Sequence, residues 1–200
     1  MGLGEEHAAY QSGHAYHPSL PPDPTAARME TLQPFHDFFL LTGGVSATLL
    51  GLVFVAASIA ATIPKEKLGP DSARALWVMP IVYSFVRVIV VSAVGVIPGQ
   101  TWRSFGLVLS ALAVLDLSRS VWTTLGMTAF HRSQERLDLR DWAWYVIFPA
   151  GATLLIAVTG FSLVMEWPWP VQLLAAGMIG HVVVGVHNAW ELADWLITRT

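Results

Sequence analysis

The sequence predicts an all-α polytopic membrane protein, an up-and-down bundle of five transmembrane helices with no soluble domain. Five apolar runs, at about 38–63, 75–97, 105–130, 142–165 and 171–197, dominate the chain. Each is longer than the roughly 20 helical residues that cross a hydrocarbon core about 30 Å thick. The composition agrees: of 200 residues 54% are hydrophobic and only 12% charged, a balance typical of membrane proteins. The connectors are short. Pro98-Gly99-Gln100-Thr101 and the stretch from Glu166 to Pro170 hold no domain and force neighbouring spans to run antiparallel.

Residues 1–34 precede the first span. They carry Pro18, Pro21, Pro22, Pro24 and Pro34, lack the basic-then-apolar pattern of a signal peptide, and are expected to be disordered. Met29 is an alternative start that would remove residues 1–28. His7, His14, His17 and His36 are too scattered to define a metal site, and a disordered tail is the simpler expectation.

Span one reads as a packing helix. Gly43, Ala47 and Gly51 recur every four residues, with Gly44 and Thr48 alongside. Such a small-xxx-small stripe lets another helix approach closely, within the bundle or between protomers. His36 and Asp37 stand just ahead of this run, where an acidic residue suits a helix N-terminus.

Span two carries Arg87 in its interior and Pro80 near its start, where proline is tolerated in a first turn. Span three carries Asp116 and, three residues on, Arg119, which share a helix face. Span four is largely apolar and contains Pro149 next to Ala150-Gly151, so a kink is expected there. Span five has two polar groups. His181 sits between Gly177 and Gly185 in a glycine-flanked stripe that brings a partner helix close. His187, Glu191 and Asp194 follow at spacings of four and three, which puts all three on one face.

The basic residues orient the bundle. Lys65, Lys67, Arg74, Arg132, Arg136, Arg140 and Arg199 fall on one side, against Arg28 and Arg103 on the other. The positive-inside rule then predicts a cell-membrane protein with an external N-terminus and a cytoplasmic C-terminus. Tryptophans gather near both predicted boundaries, and only Trp122 lies well inside a span.

At 1.5 Å per residue, Arg87 and His181 lie about 15 Å deep and Asp116 about 18 Å, so the three share the midplane. Arg119 and His187 follow at about 22–24 Å, with Glu191 and Asp194 about 30 Å down, at the inner boundary. Ionisable groups at such depths face the bundle interior and pair with one another. Spans two and three form a hairpin, so Arg87 can meet Asp116, with Arg119 competing for the same carboxylate. His181 is the candidate titrating group. His187, Glu191 and Asp194 could in chemical terms hold a divalent cation, but the H-E-x-x-H helix motif is absent. An interfacial polar cluster is the preferred reading.

Several function classes are excluded or disfavoured. The chain has no cysteine, which removes disulfides, thiolate nucleophiles and thiolate metal sites. A net charge of -3 without a basic patch argues against nucleic acid as a partner. No phosphate loop, nucleophile elbow or paired aspartates are present, so an enzyme is disfavoured and no cofactor is implied. An odd number of spans with no internal repeat disfavours a one-chain inverted-repeat carrier. Two readings remain. The preferred one is a scaffold or partner subunit in the bilayer, assembling as a homo-oligomer or with another membrane protein, which the absence of ligand motifs and long loops favours. The other is a homo-oligomeric channel or transporter using Arg87, Asp116, Arg119 and His181. A midplane cavity lined by those side chains favours the second; direct pairing in a dry core favours the first.

Overall fold

The computed structural model describes residues 33–60, 71–133, 138–167 and 171–199. The chain divides into Met1–Phe35 and His36–Thr200, and the architecture below is that of the second unit. The expected tail lies, over residues 1–32, outside the described residues.

Five helices form it: α1 (Gln33–Ala60), α2 (Asp71–Gly95), α3 (Trp102–Ser133), α4 (Leu139–Val164) and α5 (Val171–Arg199). Every one contains a segment long and apolar enough to cross a membrane, and among the described residues all regular structure is helical. This is a multi-pass membrane protein. Large apolar side chains such as Leu41, Phe54, Leu117, Leu125, Leu154 and Ile179 lie exposed around the bundle. In water they would be an aggregation surface; against lipid they meet their own kind.

Local chemistry explains where the helices begin and end. Thr101 and Ser104 cap α3 reciprocally: each hydroxyl accepts the other's backbone N–H at 3.1 Å, the capping-box arrangement. A second box starts α4, with the Asp138 carboxylate accepting from Leu139 N–H at 2.7 Å and Asp141 accepting from Asp138 N–H at 3.1 Å. Both helices therefore start about three residues before their apolar runs. The α2–α3 turn places Gly99 at φ 73° after Pro98, the backbone of a type II turn. α4 closes with Glu166 at φ 57°, Trp167 N–H donating to Ser162 C=O at 3.0 Å, and Glu166 N–H donating to Leu163 C=O at 3.3 Å. That is a Schellman motif with glutamate in the position glycine usually takes.

Other starts differ from the sequence expectation. α1 begins at Gln33, so His36 and Asp37 lie within its first turns, with Nδ1 of His36 3.5 Å from Oδ1 of Asp37. α2 begins at Asp71, which makes Pro80 a residue of its interior instead of its first turn. Polar residues ahead of the apolar run extend the helices, because hydrogen bonding and not hydrophobicity decides where a helix ends.

The helices run antiparallel to their sequence neighbours. α2, α5, α4 and α3 pack in that order, with extensive α2–α5, α5–α4 and α4–α3 interfaces and a sparse α2–α3 seam. Glycines set the close approaches. A Cβ on Gly106 would stand 2.8 Å from the Gly160 carbonyl oxygen, and one on Gly160 would stand 2.9 Å from Ser110 N, so α3 and α4 touch backbone to backbone. A Cβ on Gly177 would stand 2.9 Å from the Ala152 carbonyl oxygen, and one on Gly185 would stand 2.8 Å from the Phe85 ring.

α1 lies outside this ring. Thr42 Oγ1 is 3.2 Å from Ser92 Oγ, the Phe39 ring sits on Gly95, and Phe39 meets Phe105 edge to face at 6.0 Å. Further along, Val53 joins Ile81 and Phe85 in a core cluster that Leu49, Leu50, Ala189 and Leu192 flank. The buried face of α1 is thus Phe39, Thr42, Ser46 and Val53. Of the small-residue stripe, a Cβ on Gly43 would stand 2.8 Å from Ser92 Cβ, while one on Gly44 or Gly51 would have nothing within 4 Å, and Ala47 is exposed. Most of the stripe faces outward.

Candidate functional site

Four side chains from four helices meet inside the bundle. Arg87 of α2 forms an ion pair through Nε with Oδ2 of Asp116 on α3. Nη1 of Arg87 lies 2.7 Å from Nε2 of His181 on α5 and donates to Thr153 Oγ1 on α4 at 3.0 Å. Guanidinium has donors only, so the imidazole nitrogen facing it must present a lone pair. His181 therefore accepts, as a neutral ring, and is completely buried. Arg87 and Asp116 keep only 10% and 15% of their side-chain exposure.

Antiparallel geometry makes this pairing possible and also decides the fate of Arg119. One turn toward the N-terminus of α2 from Arg87 is Tyr83, and nearly one turn beyond Asp116 on α3 is Arg119. In an antiparallel pair these two face each other as the next rung. The Arg119 guanidinium carbon sits 3.1 Å from the centroid of the Tyr83 ring, a cation–π contact. Arg119 thus does not compete for Asp116, and among the described residues it meets no carboxylate.

A cavity of about 500 Å³ opens beside this cluster, in the sparse seam between α2 and α3, with α4 as its floor. Arg87, Asp116 and Arg119 line it, together with Tyr83, Ser120 and Tyr145. His181 stands behind Arg87, outside the lining. From Arg87 to Met79, both in the wall, the helix rises about 12 Å, so the space runs from this cluster toward the end of the bundle that carries Asp71 and Leu139.

Irregular backbone borders the same space. Pro80 is in the wall, and so are Tyr145, Val146 and Pro149, which lie in or just after the π-helical turn Ala143–Ile147. The expected disturbance at Pro149 takes this form. The carbonyl of Trp144 would receive the Phe148 amide in an α-helix, but that amide donates to Ala143. In the π register it would receive the amide of residue 149, and proline has none. Asn188 of α5, completely buried, supplies the missing donor: its Nδ2 donates to the Trp144 carbonyl at 3.3 Å.

The second polar group of α5 stands beside this latch. The His187 ring lies 3.6 Å from the Trp144 ring between centroids, and its Nδ1 is 3.7 Å from Glu191 Oε1. Glu191 accepts from Tyr145 Oη at 3.4 Å and pairs with Arg140 at 3.3 Å. Asp194, a turn further on, is exposed. Among the described residues no three metal-ligating side chains converge; Glu191 turns to Arg140 and Tyr145 instead.

The sequence pointed to Arg87, Asp116, Arg119 and His181 but not to Thr153, Tyr83 or Asn188. Tyr83 was recoverable, since the spacings 83/87 and 116/119 match across a hairpin. Asn188 was recoverable from Pro149, which must orphan a carbonyl inside the membrane. Thr153 carried no signal, because intramembrane hydroxyls ordinarily bond back to their own helix, as Thr159 and Ser162 do here. Comparison with protein-family models, curated proteins and solved structures finds nothing that matches this chain.

Proposed function

We propose that this protein binds and passes a solute through the cavity between α2, α3 and α4, so that it belongs to the transport class. The observation that carries the reading is an open, 500 Å³ space inside the membrane-spanning region with two arginines and an aspartate in its wall. Its size is that of small-molecule sites. Pro80, which has no amide to donate, and the π turn before Pro149 both border it. Irregular backbone at membrane depth is tolerated where it is packed in protein or lines a watered cavity. The Arg87–Asp116–His181–Thr153 group ties four helices together at the inner end of the space and acts as its closed end.

In this reading the N-terminus is external and the C-terminus cytoplasmic, in the cell membrane, so the cavity runs toward the cytoplasmic side. The chain has no cysteine, which permits a direct test. Single variants Ser84→Cys, Ser120→Cys and Thr123→Cys, reconstituted in vesicles, should react with a charged, impermeant thiol reagent from one face only. Labelling of the cavity positions from neither face, with no solute flux in proteoliposomes, would sink the proposal.

A second reading, scaffold or partner subunit, draws on the outward face of α1, where Gly44 and Gly51 have open space around them. Self-association of the purified protein that Gly51→Leu abolishes would support it.

A further inference from the structure

We propose that the cavity takes an anionic amphiphile, a carboxylate or phosphate head on an acyl chain, with the head on Arg119. The inference rests on the cavity being the working site and adds the chemistry of what enters it.

Charge decides the sign of the ligand. The wall holds Arg87, Arg119 and Asp116. Arg87 and Asp116 neutralise each other, and His181 is an acceptor to Arg87. Arg119 is left as one surplus positive charge inside the apolar span. Its contact with Tyr83 engages the charge but not the N–H donors. A guanidinium has five of these, and among the described residues none finds a carboxylate or carbonyl. A cationic ligand would be repelled, and a neutral one would leave the charge uncompensated in a region where that is costly.

The walls decide the rest of the ligand. Away from Arg119 an apolar strip of Met79, Pro80, Trp122, Val146 and Pro149 runs along the lining, beside the hydroxyls of Ser84, Thr123 and Tyr145. Trp122, in mid-span, is 78% exposed, and Met79 is 47% exposed. The seam therefore opens sideways to lipid at these two residues, and a chain reaching Arg119 from the leaflet would lie along them. A planar, forked donor is also the group best matched to a carboxylate or phosphate head. The same head chemistry is offered by an acidic phospholipid and by a free fatty acid or alkyl phosphate.

Brominated chains quench tryptophan at contact, and Trp122 reports on the seam. Purified full-length protein in dodecyl maltoside is titrated with 11-bromoundecanoate, 11-bromoundecyl phosphate and 11-bromoundecyltrimethylammonium. The two anions should quench a component of the emission that Trp122→Phe removes, and the cation should not. Arg119→Gln should weaken the anions at least tenfold, and Arg119→Lys less. Should Arg119→Gln fail to fold, competition replaces it: dodecanoate should displace the brominated anion from the wild type, and dodecyltrimethylammonium should not. In nanodiscs, quenching by dibrominated phosphatidic acid but not by dibrominated phosphatidylcholine identifies a lipid source; quenching only by the free anions identifies a soluble one. Equal quenching by anion and cation, or unchanged anion binding in a folded Arg119→Gln variant, overturns the proposal. Anion binding without flux would overturn the transport reading and leave this inference standing. Flux of a cation without anion binding would do the reverse.

Discussion

Replacing Asp116 by asparagine tests whether the Arg87–Asp116 pair holds the bundle together. Both side chains are nearly buried, at 10% and 15% exposure, so solvent screens them little. Removing one partner of a buried pair strands the other charge, typically at about 3–5 kcal/mol. An arginine at the centre of a spanning helix costs about 2.5–3.5 kcal/mol on the insertion scale. Two acceptors remain for Arg87, since His181 and Thr153 still face Nη1, and the new amide oxygen can take Nε. The expected loss therefore lies at the lower end, about 2–3 kcal/mol. Unfolding in dodecyl maltoside with rising dodecyl sulfate, followed by far-UV circular dichroism, reads it. The double variant Arg87→Met with Asp116→Leu removes both charges but leaves the buried His181 nitrogen without its donor, so it should cost about 1–3 kcal/mol and still less than the sum of its singles, a coupling that additivity would not give. A loss below about 0.5 kcal/mol for Asp116→Asn, or a double variant equal to the sum of its singles, would refute the argument.

Three further outcomes are expected from the same measurement. Asn188→Leu orphans the Trp144 carbonyl and should cost about 1–3 kcal/mol; adding Pro149→Ala restores an amide donor in α4 and should recover most of it. Gly160→Ala places a Cβ 2.9 Å from the Ser110 backbone nitrogen and should cost about 1–3 kcal/mol by parting α3 from α4, whereas Gly51→Ala, in open space, should not destabilise the monomer. Arg140→Ala breaks a pair whose arginine is 66% exposed, so it should cost less than about 1 kcal/mol; a loss as large as that of Asp116→Asn would show that depth does not rank these charges.

Solvent and architecture were legible because a hydrocarbon core admits few designs. A chain with five apolar runs of spanning length must satisfy its backbone internally, and helices in an antiparallel bundle do so. The same constraint made Arg87, Asp116 and His181 stand out, since charge at that depth demands a partner. Helix boundaries were less legible, because the Thr101/Ser104 and Asp138/Asp141 boxes act through local hydrogen bonds that hydropathy does not register. The α1 stripe shows a different limit. Spacing puts Gly43, Ala47 and Gly51 on one face, but only the partner helix decides whether that face is turned inward, and Phe39, Thr42, Ser46 and Val53 occupy the interface instead.

By itself, then, the sequence determined that this protein lives in a membrane, which residues sit deep in it, and that the deep charges must find one another. Tertiary structure alone decided how. It gave Asp116 to Arg87 and left Arg119 on Tyr83, because the register of an antiparallel hairpin is set by side-chain packing across it and not by the composition of either helix. It also opened the α2–α3 seam, since among the described residues the close glycine contacts fall between α3 and α4, α4 and α5, α5 and α2, and α1 and α2, and none draws α2 onto α3.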